Sequence, residues 1–394
     1  MRARKVIDGV QWVGSVDWDR QIFDELIPLP DGTSYNSYLV TGSAKTALIE
    51  TVDPTKTEEW RGLLDALPLS RLDYVIANHA EQDHSGSIPF ILERFPDAKL
   101  VCTPKAKDLL IAMLHVADER FVTVADGETL SLGDMTLEFI HAAWVHWPET
   151  MLTYIREKKV LFPCDLFGSH LATSELFVDD PSQVYRAAKR YYAEIMMPFR
   201  SNIVKHLERL AAYDIDIIAP SHGPLHNKPA YIMGVYREWV SGPLANKVVI
   251  PYVSMHGSTQ IIVDRLISGL AQNGVQAVPH KLSGGDSGRL AMELVDAATV
   301  VLGTPTVLAG PHPQVAYAAI LANALRPRTM FASIVGSFGW GGRAVEQLVA
   351  LVPNLKVELL APVLIKGLPS EEDLQAIDTL AALIAEKHHG AGLA

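Results

Sequence analysis

The sequence predicts an α/β protein of two domains, and three observations support this. The chain has 394 residues, enough for two or three domains at roughly 100–200 residues each. Strands are mixed with helices and turns up to about Leu244, whereas the chain from Lys247 alternates regularly between strand and helix. The turn-forming stretch Ser241-Gly242-Pro243 separates the two patterns. We therefore expect domains at residues 1–244 and 245–394.

The second region carries apolar strands separated by amphipathic helices. Such alternation predicts a doubly wound, parallel, five-stranded sheet, because parallel strands need crossover connections. The predicted strands are Lys247–Val253, Val275–His280, Thr299–Leu302, Met330–Val335 and Val357–Leu360.

The composition is that of a globular protein and excludes several classes of function. Hydrophobic residues make up 48% and charged residues 20%. A net charge of −11 argues against non-specific binding to nucleic acid or anionic membranes. We expect no membrane span, because no apolar stretch approaches about 18 residues. The two cysteines, Cys102 and Cys164, form no C-x-x-C pair, and a reducing, cytoplasmic location is expected.

A run of potential metal ligands follows the predicted apolar strand that ends at Ala77. It reads Asn78-His79-Ala80-Glu81-Gln82-Asp83-His84-Ser85-Gly86 and precedes a predicted helix. A loop between strand and helix can direct these side chains to one point, and imidazole with carboxylate suits iron, zinc or manganese. Further candidates, His146, Asp165 and His222, occur in later loops near the ends of apolar strands.

The order and spacing of these ligands resemble a known family. H-x-[HE]-x-D-H, followed by His, Asp and His, is similar to the ligand series of the metallo-β-lactamase superfamily. Glu81 stands where that superfamily usually has histidine, and in this respect the chain resembles the flavodiiron protein branch. The stretches Leu29–Tyr38, His146–Pro148 and Asp165–His170 are similar to the same branch. The resemblance covers nearly the whole chain and implies a metallo-β-lactamase-like αββα sandwich followed by a flavodoxin-like domain.

The resemblance also implies a catalytic centre of two iron ions. Its seven ligands would be His79, Glu81 and His146 on one iron, Asp83, His84 and His222 on the other, and Asp165 as a bridge. Phe23 and His170 are expected to line the pocket. The stretch Gly223–Asn227 departs from the family's usual Gly-x-x-Trp-Arg, and His226 within it is not counted as a ligand.

Three loops in the second region are placed for FMN. Small hydroxyl residues that open a helix after the first strand form a phosphate cradle, and flavodoxin-like sheets bind ligands at carboxyl strand ends. Three residues depart from the family pattern: Leu308, where asparagine is usual, Phe338 in place of tyrosine, and His256, where an aromatic residue is common. The expected FMN-binding residues are Ser254, Met255, His256, Gly257, Ser258, Thr259, Pro305, Thr306, Val307, Leu308, Gly310, Ser337, Phe338, Gly339, Trp340 and Gly341.

The function that the resemblance implies is reduction of dioxygen to water, of nitric oxide to nitrous oxide, or of both. A diferrous pair and a reduced flavin together hold the four electrons that dioxygen needs, and the cofactors carry this chemistry. An external electron donor such as rubredoxin or a deazaflavin is expected. The family arrangement further implies a head-to-tail homodimer, or a tetramer, in which the FMN of one subunit faces the iron site of another.

Two other functions remain open on the sequence. One is a zinc-dependent hydrolase of the metallo-β-lactamase fold with a flavodoxin-like appendage, against which Glu81 argues. The other is an electron carrier that binds flavin but no metal, against which the complete set of seven ligands argues.

Overall fold

The computed structural model describes residues 2–393, and the chain divides into two compact units. One unit takes the chain up to Tyr192 together with Phe199–Val240, and the other takes Ala193–Pro198 and the chain from Ser241 onward. The domain boundaries given above stay a prediction. Within the described residues, no helix is both long and apolar enough to cross a membrane.

The first unit is built on two sheets. The larger has the strand order β1-β2-β7-β8-β9-β10-β11 and the smaller β12-β13-β14-β15-β16, while β3 pairs with β6 and β4 with β5. The strands are β1 (Arg4–Ile7), β2 (Val10–Trp12), β3 (Ser15–Asp17), β4 (Ile22–Phe23), β5 (Ile27–Pro28), β6 (Thr33–Tyr35), β7 (Tyr38–Thr41), β8 (Thr46–Ile49), β9 (Tyr74–Ile76), β10 (Lys99–Cys102), β11 (Phe121–Thr123), β12 (Thr129–Ser131), β13 (Thr136–His141), β14 (Met151–Ile155), β15 (Val160–Phe162) and β16 (Ile217–Ile218).

Helices cover this unit. Because side chains alternate along each strand, one face of the larger sheet packs against helices and the other packs against the second sheet, which gives a sandwich. The helices are α1 (Thr57–Asp65), α2 (Gln82–Ser85), α3 (Ile88–Arg94), α4 (Pro104–Leu114), α5 (Pro181–Tyr191), α6 (Arg200–Leu210) and α7 (Pro229–Ser241). Successive strand residues point to opposite faces of a sheet. Thus Leu48 packs with Trp60 of α1 and Leu92 of α3, whereas the next residue, Ile49, packs with Phe139 of the second sheet.

The connections of this unit carry the predicted ligands to one region. The run that begins at His79 follows β9, which is parallel to both β8 and β10. Asp165 follows β15 and His222 follows β16, and these two strands are also parallel. His146 lies in the connection between β13 and β14. Because parallel strands end at the same edge of a sheet, their loops can supply a common site.

The second unit holds a parallel sheet with five strands in line, as predicted. Its order is β18-β17-β19-β21-β22, with β20 paired to β19 and β23 to β21. The elements are β17 (Ala245–Tyr252), α8 (Ser258–Gln272), β18 (Gln276–Lys281), α9 (Ser287–Leu294), β19 (Ala297–Val307), β20 (Gly310–Pro311), α10 (Pro313–Leu325), β21 (Phe331–Phe338), α11 (Ala344–Ala350), β22 (Glu358–Leu359), β23 (Val363–Lys366) and α12 (Glu371–Gly390).

The fifth strand position differs from the prediction. It is filled by two short strands, β22 and β23, which both run parallel to β21. The single strand Val357–Leu360 was expected there. Pro362 stands between the two pieces, and its missing N–H cannot continue a ladder. The edge strand therefore breaks and resumes.

Candidate functional site

The first group of predicted ligands converges on one point. Nε2 of His79 and Nε2 of His146 each lie 3.1 Å from Oε2 of Glu81. The same two nitrogens lie 3.6 and 3.5 Å from Oδ2 of Asp165. The four ligand atoms are all within 4.8 Å of one another, which is a spacing that a single metal ion could bridge.

The second group forms a similar cluster beside the first. Oδ2 of Asp83 lies 3.1 Å from Nε2 of His222, and Oδ1 lies 3.4 Å from Nε2 of His84. These three side chains also have ligand atoms within 4.8 Å of one another, and all three are buried. His84 therefore faces the cluster with Nε2.

Asp165 stands between the two groups and turns one oxygen to each. Its Oδ2 faces His79 and His146, as given above, while its Oδ1 lies 3.1 Å from Nε2 of His84 and 3.3 Å from Nε2 of His222. A carboxylate with this orientation can bridge two cations. The structure thus brings all seven predicted ligands together, and their binding of iron stays a prediction.

Several neighbours that orient these ligands were missed by sequence reasoning. Nδ1 of His79 lies 2.7 Å from Oε1 of Glu149, and Nδ1 of His222 lies 2.7 Å from the carbonyl oxygen of Ser34. Such contacts fix the ring orientation of metal-binding histidines. Glu149 lies three residues after His146, so its position next to a candidate ligand was the signal available.

The donor chemistry of this cluster fits metal ions. Both carboxylate oxygens of Asp83 are buried and have no hydrogen-bond partner in the part of the chain that is described. Its contacts with His84 and His222 lack hydrogen-bond geometry, as expected where side chains point at a common ion. A buried carboxylate needs a nearby positive charge to offset the loss of its hydration, and carboxylate oxygen together with imidazole nitrogen suits iron.

Without metal, protons on the histidines would offset part of the negative charge of the carboxylates. Burial by itself lowers the pKa of each histidine in the cluster, but the surrounding carboxylates outweigh burial. The result is a pKa raised to about 10 for His79, His84 and His146 and to about 9 for His222. Since metal binding needs the neutral ring, metal would displace these protons.

A cleft of about 560 Å³ opens onto the cluster. Glu81 and Asp83 line it from the ligand side, and Phe23, Asp24 and Trp147 line it from the other sides. Phe23 is thus a pocket residue, as expected. A small molecule has a route to both groups of ligands through this opening.

The two other histidines noted in the first unit, His170 and His226, are buried, and His170, which was expected to line the pocket, is not among the residues that line the cleft. His170 is buried, with its ring centroid 5.1 Å from Phe23 and 5.1 Å from His222, and its Nδ1 contacts the hydroxyl of Thr33 at 2.9 Å. Burial holds its pKa well below the usual value. His226 contacts the carbonyl oxygen of Phe167 at 3.2 Å, so each has a place in packing.

The predicted FMN loops meet at a second cleft, of about 210 Å³, in the other unit. All three loops contribute to its lining, and Gly367, which the sequence did not single out, lies there too. The predicted residues that line it are Met255, His256, Ser258, Thr259, Pro305, Thr306, Ser337, Phe338 and Gly339. The predicted residues outside the lining are Ser254, Gly257, Val307, Leu308, Gly310, Trp340 and Gly341.

This cleft fits a phosphate-bearing flavin. Helix α8 begins after Gly257, which has φ +95° and gives the helix no side-chain cap. The hydroxyl of Ser254 accepts the N–H of Gln260 at 3.1 Å, so the amides of Ser258 and Thr259, at the start of the helix, are the ones placed to bind an anion. The hydroxyl groups of Thr259 and Ser337, 2.9 Å apart, lie in the lining. Leu308 and Trp340, which lie outside the lining, are 92% and 74% exposed.

A dinuclear ligand cluster in a metallo-β-lactamase-type sandwich and a cleft lined by the predicted FMN loops in a doubly wound sheet define a class of two-cofactor redox protein. Residues 33–223 match the family described as ODP family beta lactamase. The chain is 37% identical to a nitric oxide reductase of Moorella thermoacetica, over 97% of this chain and 98% of the relative. It is 31% identical to a rubredoxin-oxygen oxidoreductase of Megalodesulfovibrio gigas, over 98% of each.

Solved structures agree with these relatives. The rubredoxin oxygen:oxidoreductase of Desulfovibrio gigas superimposes with a TM-score of 0.95 at 30% identity and covers 100% of both chains. The flavodiiron protein of Giardia intestinalis gives 0.89 at 30% identity over 98% of both chains. The chain belongs to the flavodiiron protein family.

Proposed function

We propose that this protein is an oxidoreductase that reduces dioxygen to water, nitric oxide to nitrous oxide, or both, at two irons supplied with electrons through FMN. The observation that carries the proposal is the orientation of Asp165, whose two oxygens face two separate ligand groups. The names of the relatives, nitric oxide reductase and rubredoxin-oxygen oxidoreductase, support both substrates.

The residues of each group have distinct parts in this proposal. His79, Glu81 and His146 would hold one iron, and Asp83, His84 and His222 would hold the other. When bound, the irons and the FMN would supply the electrons and the site where the gas is reduced. Asp165 fixes the spacing of the two groups. Glu149 and Ser34 keep the rings of His79 and His222 turned so that Nε2 faces the cluster.

The cleft that leads to the cluster suits a small substrate. Bound irons would neutralise the carboxylates of Glu81 and Asp83, and the rest of the lining carries charges of both signs, Arg20 among them. The apolar rings of Phe23 and Trp147 flank the same cleft. Dioxygen and nitric oxide are small, neutral molecules that such an opening can admit.

We propose further that an external redox protein or deazaflavin supplies the electrons, and that the chain works as a head-to-tail homodimer or tetramer in the cytoplasm. Leu308 and Trp340 are exposed in two of the loops that line the flavin cleft, and this exposure supports a partner at those loops. Light scattering of the purified protein measures the oligomeric state, and a monomer at micromolar concentration would contradict the dimer.

Cell fractionation tests the location, and recovery outside the cytoplasm would contradict it. Reduction assays with rubredoxin and with reduced deazaflavin test the donor.

Anaerobic stopped-flow of the fully reduced protein tests the main proposal. Metal and flavin are assayed first, and the protein is then mixed separately with dioxygen and with nitric oxide. About two irons and one FMN per chain, with rapid reoxidation by one gas, would support the proposal and identify the preferred substrate. Zinc without flavin, ester hydrolysis and no reaction with either gas would support the hydrolase. Flavin without metal would support the electron carrier.

A further inference from the structure

Glu50 lies behind His84, on the side of the imidazole ring that faces away from Asp165. It directly follows β8 and is buried. Its Oε1 accepts a 2.8 Å hydrogen bond from the backbone N–H of Asn78. Its Oε2 has no hydrogen-bond partner within the described residues and lies 3.6 Å from Nδ1 of His84. A buried carboxylate oxygen without a hydrogen-bond partner is unusual in a folded protein.

The backbone conformation of Glu50 is a second, independent feature that points to a function for this residue. Its φ is +60°, in the left-handed region that glycine adopts freely and other residues adopt at a cost. Glycine would therefore suit this position better if only the backbone counted. Strain of this kind at a buried polar residue points to a role for the side chain.

The backbone next to Glu50 and His84 holds the two residues close together. The carbonyl oxygen of His84 accepts hydrogen bonds from the backbone N–H of Thr51 at 2.9 Å and from its hydroxyl at 2.5 Å. The strand end that carries Glu50 is thus tied to the residue that it faces. The 3.6 Å between Oε2 of Glu50 and Nδ1 of His84 exceeds the usual hydrogen-bond length of about 2.7–3.2 Å, so the two atoms must come closer for this contact to become a hydrogen bond.

His84 differs from two of the other histidines in how its second ring nitrogen is held. Nδ1 of His79 and Nδ1 of His222 each have an oxygen at 2.7 Å. Nδ1 of His84 has Oε2 of Glu50 at 3.6 Å and the sulfur of Cys164 at 3.9 Å. Sulfur is a weak acceptor, so the carboxylate is the stronger partner for an Nδ1–H group.

We propose that Glu50 is a positioning residue that keeps Nε2 of His84 turned toward Asp83 and Asp165, and that without Glu50 the ring turns away and ceases to be a metal ligand. The inference rests on the proposed metal site. It adds a cause for the ring orientation of His84, one of the seven predicted ligands. By accepting a hydrogen bond from Nδ1–H, Glu50 selects the tautomer whose Nε2 is free to bind metal.

Two substitutions test this device in different ways. Glu50→Asp withdraws the carboxylate by one methylene group, about 1.5 Å, and leaves Nδ1 without its acceptor. Glu50→Gln keeps the length, but its carbonyl oxygen is already required by the N–H of Asn78. The amide NH₂ would then face Nδ1 as a donor and favour the tautomer whose Nε2 carries the proton.

The experiment is anaerobic binding of ferrous iron to the metal-free, full-length protein with FMN present, followed by Mössbauer spectroscopy of the ⁵⁷Fe-loaded protein. We expect each variant to bind one of the two irons 10–100-fold more weakly, as is typical for loss of such partners, with the spectrum of that iron changed and the FMN content unchanged. His84→Ala is expected to affect the same iron.

A double-mutant cycle separates positioning from general support of the fold. If Glu50 acts through His84, the variant carrying both Glu50→Asp and His84→Ala binds iron as His84→Ala alone does. Cys164→Ala is the matched control on the other side of Nδ1 and should leave iron affinity within about twofold, because its sulfur is a weak partner. Glu149→Gln, behind His79, should weaken the other iron.

Each outcome either supports or overturns the inference. Additive effects in the cycle, unchanged iron affinity in both Glu50 variants, or a Cys164→Ala effect as large as theirs would overturn it. Circular dichroism and thermal unfolding show whether a variant folds, and if Glu50→Asp does not, the Glu50→Gln result decides. Wild-type protein that binds no iron would instead overturn the proposed function, so the two failures are distinguishable.

Discussion

The hydroxyl of Tyr191 donates a 2.8 Å hydrogen bond to Oδ1 of Asp165. Both residues are buried, and the accepting oxygen is the one that also faces His84 and His222. Tyr191 is the last residue of α5. The end of that helix therefore restricts how the carboxylate can rotate, and with it the spacing of the two ligand groups.

Tyr191→Phe should weaken the site without emptying it. Loss of a hydrogen bond to a buried carboxylate is expected to lower the free energy of unfolding of the metal-free protein by about 1.5–3 kcal/mol. Both irons should still bind, and gas reduction should slow because Asp165 is held less firmly. Urea unfolding and single-turnover stopped-flow measure the two effects.

Tyr154→Phe is the matched control for that change. Its hydroxyl donates a 2.6 Å hydrogen bond to the neutral carbonyl oxygen of Asp214, away from the cluster. The expected loss is only about 0.5–1.5 kcal/mol, with an unchanged rate of gas reduction. Equal losses in both variants would contradict the importance of the charge on Asp165.

Asp165→Ala should remove gas reduction while FMN remains bound. The substitution deletes the oxygens that face both ligand groups, so iron content should fall below two per chain. The rate of gas reduction should fall by more than about 100-fold, beyond the 10–100-fold loss expected for a residue outside the ligand set. Metal analysis, flavin absorbance and stopped-flow give the three readings. Full activity in this variant would count against a bridging role.

The tight turn between β19 and β20 should be improvable. Val307 pairs with Gly310, which leaves Leu308 and Ala309 as the two central residues, at φ +50° and +61°. A two-residue hairpin of this kind favours Asn-Gly. Leu308→Asn with Ala309→Gly should therefore raise the free energy of unfolding by about 1 kcal/mol.

Urea unfolding of the double variant checks this expectation. Ala361→Gly serves as the control, because Ala361 is exposed and lacks a positive φ. That change should lower the stability by up to about 1 kcal/mol through the added backbone entropy of glycine. A destabilised turn variant would mean that the side chain of Leu308 contributes more than the strain at its backbone costs.

His388 should make the second unit sensitive to acid. It is fully buried, with Nδ1 2.7 Å from Oδ1 of Asn246 and Nε2 2.6 Å from the hydroxyl of Thr299. Burial lowers its pKa in the folded protein below the ordinary value of about 6.5. The folded state thus favours the neutral ring, and this stability is present above about pH 6.5 and is lost as the pH falls.

Unfolding as a function of pH tests this dependence, which a single histidine limits to about 1.4 kcal/mol per pH unit. His388→Gln should flatten the dependence between about pH 6.5 and pH 5. His389→Gln changes the exposed neighbour and should leave it as in the wild type. A pH profile that His388→Gln does not alter would show that another group is responsible.

The parts of the site that carry a motif could be predicted from sequence. The run from His79 to His84 follows an apolar strand and combines four potential ligands within six residues, so its convergence was expected. The parallel sheet from Lys247 onward was predictable for a similar reason, since regular alternation of strand and helix leaves few topologies.

The residues that orient the ligands could not be predicted in the same way. Tyr191 ends an amphipathic helix, and its contact with Asp165 spans 26 residues. Glu50 is a single acidic residue after a buried strand, and only the pairing of Ile49 with Ile76 reveals that it lies beside the ligand loop. Such contacts depend on register and on which strands are neighbours, and neither leaves a local pattern.

The position of Cys164 has a consequence for the durability of the protein. Its sulfur lies 3.8 Å from Oδ2 of Asp165, at a site proposed to handle oxidising gases. Burial raises the pKa of this thiol well above its usual value, and the thiolate is the form that oxidants attack. The packing that encloses the cluster therefore also keeps this sulfur in the less reactive thiol form, which should limit damage to the chain during repeated turnover.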